Sequence, residues 1–400
     1  MPAGHLQLSY TGTQDVILTG KPQYSFFKCV FKRYLNFSVE PIRQVINGEC
    51  NFGKTVSIKI KKAGDLLSKT YIVLKLPALT ANSGTYAGWA NSIGNLVVSR
   101  SELYIGGNKI DTIYYDSTEL KDEFFTSESK RISKNLMIGR FEEVTALQTN
   151  ATSETIYNIP LEFYFSRHLP LAIPLINLQY HEIEIKLTFR DFSECITFDG
   201  ATGPSEVSFV SCDLWADYVF FDDSVRANMA KSSPNFLIEQ TQRSVVSNIP
   251  TGVSTFRKEI KFNHPVKYLM WYYREVNSET NNDWFNFSAR SDGGKIATST
   301  VIQVDSNELF DERDESYFRL VQPYEHFTRT PLKYVYCYSF AKNPEDYQPS
   351  GTFNFSKVDS SYINSQIRSS VSTSCNCVVI AINYNVLVFR NGMAALLWSS

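Results

Sequence analysis

The sequence predicts an all-β protein made of two sandwiches in tandem, with a few short helices in its loops. Three observations carry that expectation. Apolar residues alternate with period two in run after run. Aromatic residues, 28 Phe and 23 Tyr, are spread along the whole chain and suit pleated, half-buried surfaces. Turn residues interrupt the runs often, whereas helical patterns are scarce. At 400 residues the chain is longer than one core usually holds, which favours two domains of roughly 200 residues each.

Taken in order, TVSIKIK (55–61) puts Val56, Ile58 and Ile60 on one face and Thr55, Ser57, Lys59 and Lys61 on the other. YIVLKL (71–76) is a strand with apolar residues on both faces in places. Gly106, Gly107 and Asn108 form a turn after ELYI. KDEFFTSESKRISKNLMIG (121–139) predicts a short amphipathic helix inside a long excursion between strands. HEIEIKLTFR (181–190) alternates cleanly, with Ile183, Ile185, Leu187 and Phe189 facing inward. DDSVRANMA (222–230) reads as a second short helix, its acids placed at the positive end of the dipole. With KSSPN after it, this stretch marks the domain boundary. Beyond it, a turn at 263–265 comes first, and LKYVYCYSF (332–340) and CVVIAINYNVLVF (377–389) are strands with a turn at 348–351 between them.

Composition excludes several functions. Net charge is −2 with the signs interspersed, so no basic face for nucleic acid is expected. The densest basic stretches, 28–34 and 61–69, read as a solvated strand face or an arm. Seven scattered cysteines predict reduced thiols rather than a disulfide framework. Cys375 and Cys377 are the one close pair, with no second pair to complete a zinc site. The N-terminus carries no signal-peptide pattern, and no apolar run approaches the ~20 residues of a membrane helix; a chain soluble when made is expected.

GECNFGKT (48–55) matches the phosphate-binding pattern G-x-x-x-x-G-K-[ST] letter for letter. A working loop of this kind follows a buried strand and opens a helix whose N–H groups hold the phosphates. Here Thr55 opens a run rich in β-branched residues, and Glu49 would set a carboxylate inside the cradle. Gly48, Gly53, Lys54 and Thr55 are therefore read as a strand turn, with no nucleotide or other cofactor expected. The five histidines occupy separate contexts. The acidic run ELFDERDES (308–316) is interrupted by Arg313 and reads as a solvated loop rather than a calcium site. No catalytic constellation emerges, so the chain is not expected to be an enzyme.

The stretch LTGKPQYSFFKCVFKRYLNFSVEPIRQ (18–44) carries a resemblance. Its Thr19-Gly20, Pro22-Gln23, Phe26-Phe27-Lys28, Arg33-Tyr34 and Asn36-Phe37, with Gln14-Asp15 before them, resemble the N-terminal signature of the major capsid proteins of nucleocytoplasmic large DNA viruses, of the algal-virus and iridovirus type. Further blocks recur in that family's order: GDLL (64–67), ELYIGGNKID (102–111), PLAIPLINLQYHEIEI (170–185) and LWADYVF (214–220). In the second half come FLIEQ (236–240), FNHPVKYLMW (262–271), SYFRLVQPYEHFTR (316–329), YSFAKNPEDYQPSGTFNFSKVD (338–359) and NGMAALLWS (391–399). Segments 78–95, 120–155 and 272–300 depart most.

The resemblance implies a double jelly roll, two eight-stranded sandwiches in one chain. The expected organisation is an arm at 1–23, a first jelly roll at 24–220, a linker with a short helix at 221–240 and a second jelly roll at 241–400. It further implies a homotrimeric capsomer that packs against neighbouring capsomers and minor capsid proteins in an icosahedral shell. Assembly would occur in the host cytoplasm, with no direct nucleic-acid contact and any apposition to an internal viral membrane made through other proteins. A minor capsomer protein from a paralogous gene is the alternative within this class. A carbohydrate-binding tandem jelly roll is the alternative outside it; DWFNF (283–287) supplies aromatics for a sugar, but no matched acid pair accompanies them. Of four N-x-[ST] sequons, Asn36 and Asn354 fall in the resembling blocks and are read as structural; Asn150 and Asn286 fall in divergent segments, where exposure is open to them, and are the glycosylation candidates.

Overall fold

In the computed structural model, residues 2–369, 371 and 373–398 are described; the extreme ends of the expected arm and second jelly roll, Met1 and 399–400, lie outside them. Residues 1–37 form one compact unit and 38–400 another. Within the first unit, short helices Ala3–Ser9 and Val16–Thr19 have no buried residues.

The larger unit is built on two sets of eight strands. The first comprises β1 (Phe37–Gln44), β2 (Thr55–Lys59), β3 (Leu66–Leu76), β4 (Val98–Ile105), β5 (Asn108–Tyr114), β6 (Thr155–Pro160), β7 (Ile183–Phe189) and β8 (Ser211–Phe221). The second comprises β9 (Asn235–Arg243), β10 (Thr255–Glu259), β11 (Pro265–Glu275), β12 (Ala297–Val304), β13 (Asn307–Glu308), β14 (Val335–Ser339), β15 (Ser361–Ile367) and β16 (Cys375–Arg390). In the first set, one sheet runs β1-β8-β3-β6 and the other β2-β7-β4-β5. In the second they run β9-β16-β11-β14 and β10-β15-β12-β13. Adding eight to every strand of the first set reproduces the second, so the two sandwiches share one topology strand for strand. It is the jelly-roll order, and the chain is a double jelly roll.

Alternation dictates the faces. In β7, Ile183, Ile185, Leu187 and Phe189 are buried while Glu184, Lys186 and Thr188 are half-exposed. β11 and β16 lie side by side and are buried on both faces. Leu269, Trp271 and Tyr273 of β11, with Cys377, Val379 and Ala381 of β16, enter the second sandwich's own core. The alternate residues Tyr268, Met270, Tyr272, Val378, Ile380 and Ile382 join the core of the first sandwich. One sheet of the second jelly roll is therefore an inner layer of the whole unit. Burying each such side chain contributes about 1.5–3 kcal/mol, which ties the two jelly rolls together.

The helix expected over 121–139 is two helices, α1 (Tyr115–Phe125) and α2 (Glu128–Ile138). The first is not amphipathic in its surroundings: ten of its eleven residues are buried, acids included. The helix expected near 222–230 is α3 (Asp223–Lys231), with Asp223 in its first turn and Lys231 in its last. Arg226 of α3 donates to Asp65 at 2.9 Å, pinning it to the first jelly roll.

Candidate functional site

The 48–55 segment folds as a turn between β1 and β2. Gly48 and Gly53 sit at φ 107° and 67°, where an L side chain is strained. The Gly53 N–H donates to the Arg190 carbonyl at 2.9 Å, and a Cβ there would also press on the Asp191 carboxylate. Phe52 turns inward, its ring 4.5 Å from that of Phe209 and 5.8 Å from that of Trp89. Thr55 opens β2 and pairs with Thr188 of β7, so its N–H belongs to a strand and not to a helix N-terminus. Lys54 points to solvent. The Lys54 N–H donates to the Asn51 carbonyl at 3.3 Å, closing the turn.

Asn150 and Asn286, the two candidate sequons, are half-buried. The Asn150 amide pairs with the Trp89 backbone in both directions, accepting at 2.8 Å and donating at 2.9 Å. Asn286 donates to Asp283 at 2.9 Å and accepts from the Ser288 N–H and hydroxyl at 3.0 and 2.6 Å. Side chains held this way fix loops. Asn354 caps the short helix Phe355–Lys357 by accepting from the Ser356 N–H. Among the described residues, no three His, Cys, Asp or Glu side chains converge as metal ligands.

The dense polar chemistry lies at the seam between the jelly rolls, which sequence reasoning missed. Asp116, Glu119 and Glu123 of α1 stand three and four residues apart, hence on one helical face. Each meets a cation from the second jelly roll: Arg243 donates to Asp116 at 2.7 Å, Lys333 to Glu119, and Arg329 to Glu123 at 2.9 Å. Tyr272 adds a 2.8 Å hydroxyl bond to Asp116. From the first jelly roll, Arg140 reaches Glu119 at 2.7 Å and Lys134 reaches Asp122 at 3.0 Å. Burial alone would raise the Glu119 pKa, yet Arg140 and Lys333 outweigh it and bring the carboxyl down to about 2. Asp111 of β5 shows the opposite balance: burial raises it to about 6, although it accepts the Thr241 N–H of β9 at 2.9 Å.

A second group closes the same seam. Glu239 of β9 receives Arg167 at 2.9 Å and the fully buried Lys267 at 2.6 Å. Arg190 lies over the rings of Tyr115 and Trp284, at 4.2 and 4.1 Å, and Trp284 donates to the Glu194 carbonyl at 2.9 Å. Losing one partner of a buried charge is costly, so separating the two jelly rolls would leave several of these groups uncompensated. The arrangement makes two sandwiches into one block.

The unit of residues 1–37 offers the contrary case. Leu18, Tyr24, Phe26, Phe27, Phe31 and Tyr34 are all exposed, Phe27 at 99%.

Known proteins agree with this anatomy. The family described as "Major capsid protein N-terminus" matches residues 25–222, and the one described as "Large eukaryotic DNA virus major capsid protein" matches 226–395. The major capsid protein of Pyramimonas orientalis virus is 35% identical over 429 aligned residues, covering 100% of both chains. That of Paramecium bursaria Chlorella virus 1 is 31% identical, again with 100% of both covered. Among solved structures, a chain of the PBCV-1 virus capsid superposes with a TM-score of 0.81 at 27% identity, over 94% of this chain and 100% of that one. This chain belongs to the major capsid proteins of large eukaryotic DNA viruses, and its work is to build the virion shell.

Proposed function

We propose that three copies of the chain close into a pseudo-hexagonal capsomer, and that capsomers tile the icosahedral shell. The observation that carries this reading is the strand-for-strand repeat of one jelly roll by the other. Two similar wedges per chain, repeated by a threefold axis, make six similar wedges, and a six-sided block fills a plane. Contacts around such an axis are heterologous but close on themselves, so each assembly is finite. The seam supports the same reading, because wedges that swung independently would not hold a hexagonal outline.

In this reading the jelly rolls expected at 24–220 and 241–400 are the wedges, the second reaching back through β9 to Asn235, the rest of the 221–240 linker joins them, and the arm at 1–23 is ordered by neighbouring capsomers, minor capsid proteins or the shell's inner side. The exposed apolar residues of 1–37 supply the surface for that contact. Folding and assembly take place in the host cytoplasm, and the protein performs no catalysis. Light scattering of the purified chain tests the capsomer: a particle of three 45.6 kDa chains is expected. A stable monomer at assembly concentrations would overturn it.

A further inference from the structure

The turn that imitates a phosphate loop carries Cys50, and the first strand turn of β8 carries Cys212; both are half-buried at the edge of the first jelly roll's core. The two thiols are held as neighbours, Cys50 being the main influence on the Cys212 proton. Three further contacts fasten their segments together. Asn51 donates its amide to the Ser208 hydroxyl at 2.9 Å and accepts the Phe209 N–H at 3.3 Å. The rings of Phe52 and Phe209 pack edge to face at 4.5 Å. The turn that carries Cys50 and the segment that leads into Cys212 are thus fastened to each other within a few residues of both thiols.

We propose that Cys50 and Cys212 are a redox-switchable pair, reduced when the chain folds and joined as a disulfide once the shell meets an oxidising exterior. The oxidant is a small-molecule disulfide of the glutathione class. The Cys50 sulfur attacks one sulfur of that molecule, and the old S–S bond breaks, releasing one small thiol and leaving a mixed disulfide on Cys50. The Cys212 sulfur then attacks the Cys50 sulfur and expels the second small thiol. The two cysteine protons end on the two released thiols; the cysteines together lose two electrons and the small disulfide gains them. The same balance holds if Cys212 attacks first.

The bond would clamp the β1–β2 turn, which leads into one sheet of the first jelly roll, onto β8 in the other. It would close a loop between positions 50 and 212, long enough for a large loss of unfolded-chain freedom. The chemistry follows from the paired thiols alone; the timing rests on the proposed cytoplasmic assembly, where thiols stay reduced.

The test uses the full chain, treated with oxidised glutathione under native conditions, then alkylated and digested without reductant. A peptide linking Cys50 to Cys212 is expected as the dominant cross-link, removed by dithiothreitol, together with a melting temperature several degrees higher. C50S and C212S should each lose both the linked peptide and the rise. Glutathione adducts accumulating on Cys50 without the linked peptide, or a link between Cys375 and Cys377 in its place, would overturn the pairing. A linked peptide without a higher melting temperature would overturn the clamp.

Discussion

Asp116 on α1 accepts a 2.7 Å bond from Arg243 on β9, joining the two jelly rolls through a carboxylate wholly shielded from solvent. Tyr272 completes the site from β11. Removing one partner leaves the other charge buried and uncompensated, so Arg243→Met is expected to cost about 3–5 kcal/mol. Asp116→Asn with Arg243→Met should cost less than the sum of the single changes. Chemical denaturation of the four proteins in a double-mutant cycle measures the difference.

Glu119 and Asp111 pull stability in opposite directions with pH. Glu119 titrates at about 2 in the folded chain, below its ordinary range, so its contribution is full above about 4.5 and is lost as pH falls through about 2. Glu119→Gln should therefore be strongly destabilising at pH 7 and progressively less so in acid. Melting curves from pH 7 down to pH 3 read this trend.

Asp111 titrates at about 6 when folded and near 4 when unfolded, so its contribution is full below about 4 and is lost as pH rises through about 6. Asp111→Asn, which keeps an acceptor for the Thr241 N–H, is expected to stabilise the protein at pH 7 by about 2–3 kcal/mol, taking 1.4 kcal/mol per pKa unit. The gain should vanish at pH 4. Comparing denaturation midpoints at the two pH values checks it.

The alternation of β7 and of β2 was legible because each strand has one face in a core and one toward solvent, and period two records that directly. For β16, the apolar residues on both faces of 377–389 showed burial but not what covered the second face, since the cover comes from the first jelly roll, far away in the chain. α1 was illegible as an interior helix for the same reason. YDSTELKDEFF reads as a solvated face until Arg243, Arg329 and Lys333, more than a hundred positions away, are brought against it. The Asn150 sequon gives no sign of its pairing, since its partner, the Trp89 backbone, lies 61 positions earlier.

Lys54 extends from a turn into solvent, and the N–H groups of Gly53 and Lys54 are spent on the carbonyls of Arg190 and Asn51. Magnesium-ATP is expected to leave the melting temperature unchanged, and Lys54→Ala should alter stability by less than about 0.5 kcal/mol. A nucleotide-dependent thermal shift lost in Lys54→Ala would contradict this.

A sugar on Asn150 would have to coexist with its two-way pairing to Trp89, and one on Asn286 with its bond to Asp283. Intact mass spectrometry of virion protein is expected to return the bare 45.6 kDa chain. An added hexose ladder mapping to either residue would show that these loops open.

The central claim is that a repeated jelly roll, locked at one seam, forms a six-sided block from three chains. Electron microscopy of the purified protein tests it most directly. Class averages with a hexagonal outline and threefold symmetry are the expected result; averages of isolated two-lobed monomers, or rings of any other copy number, would contradict it.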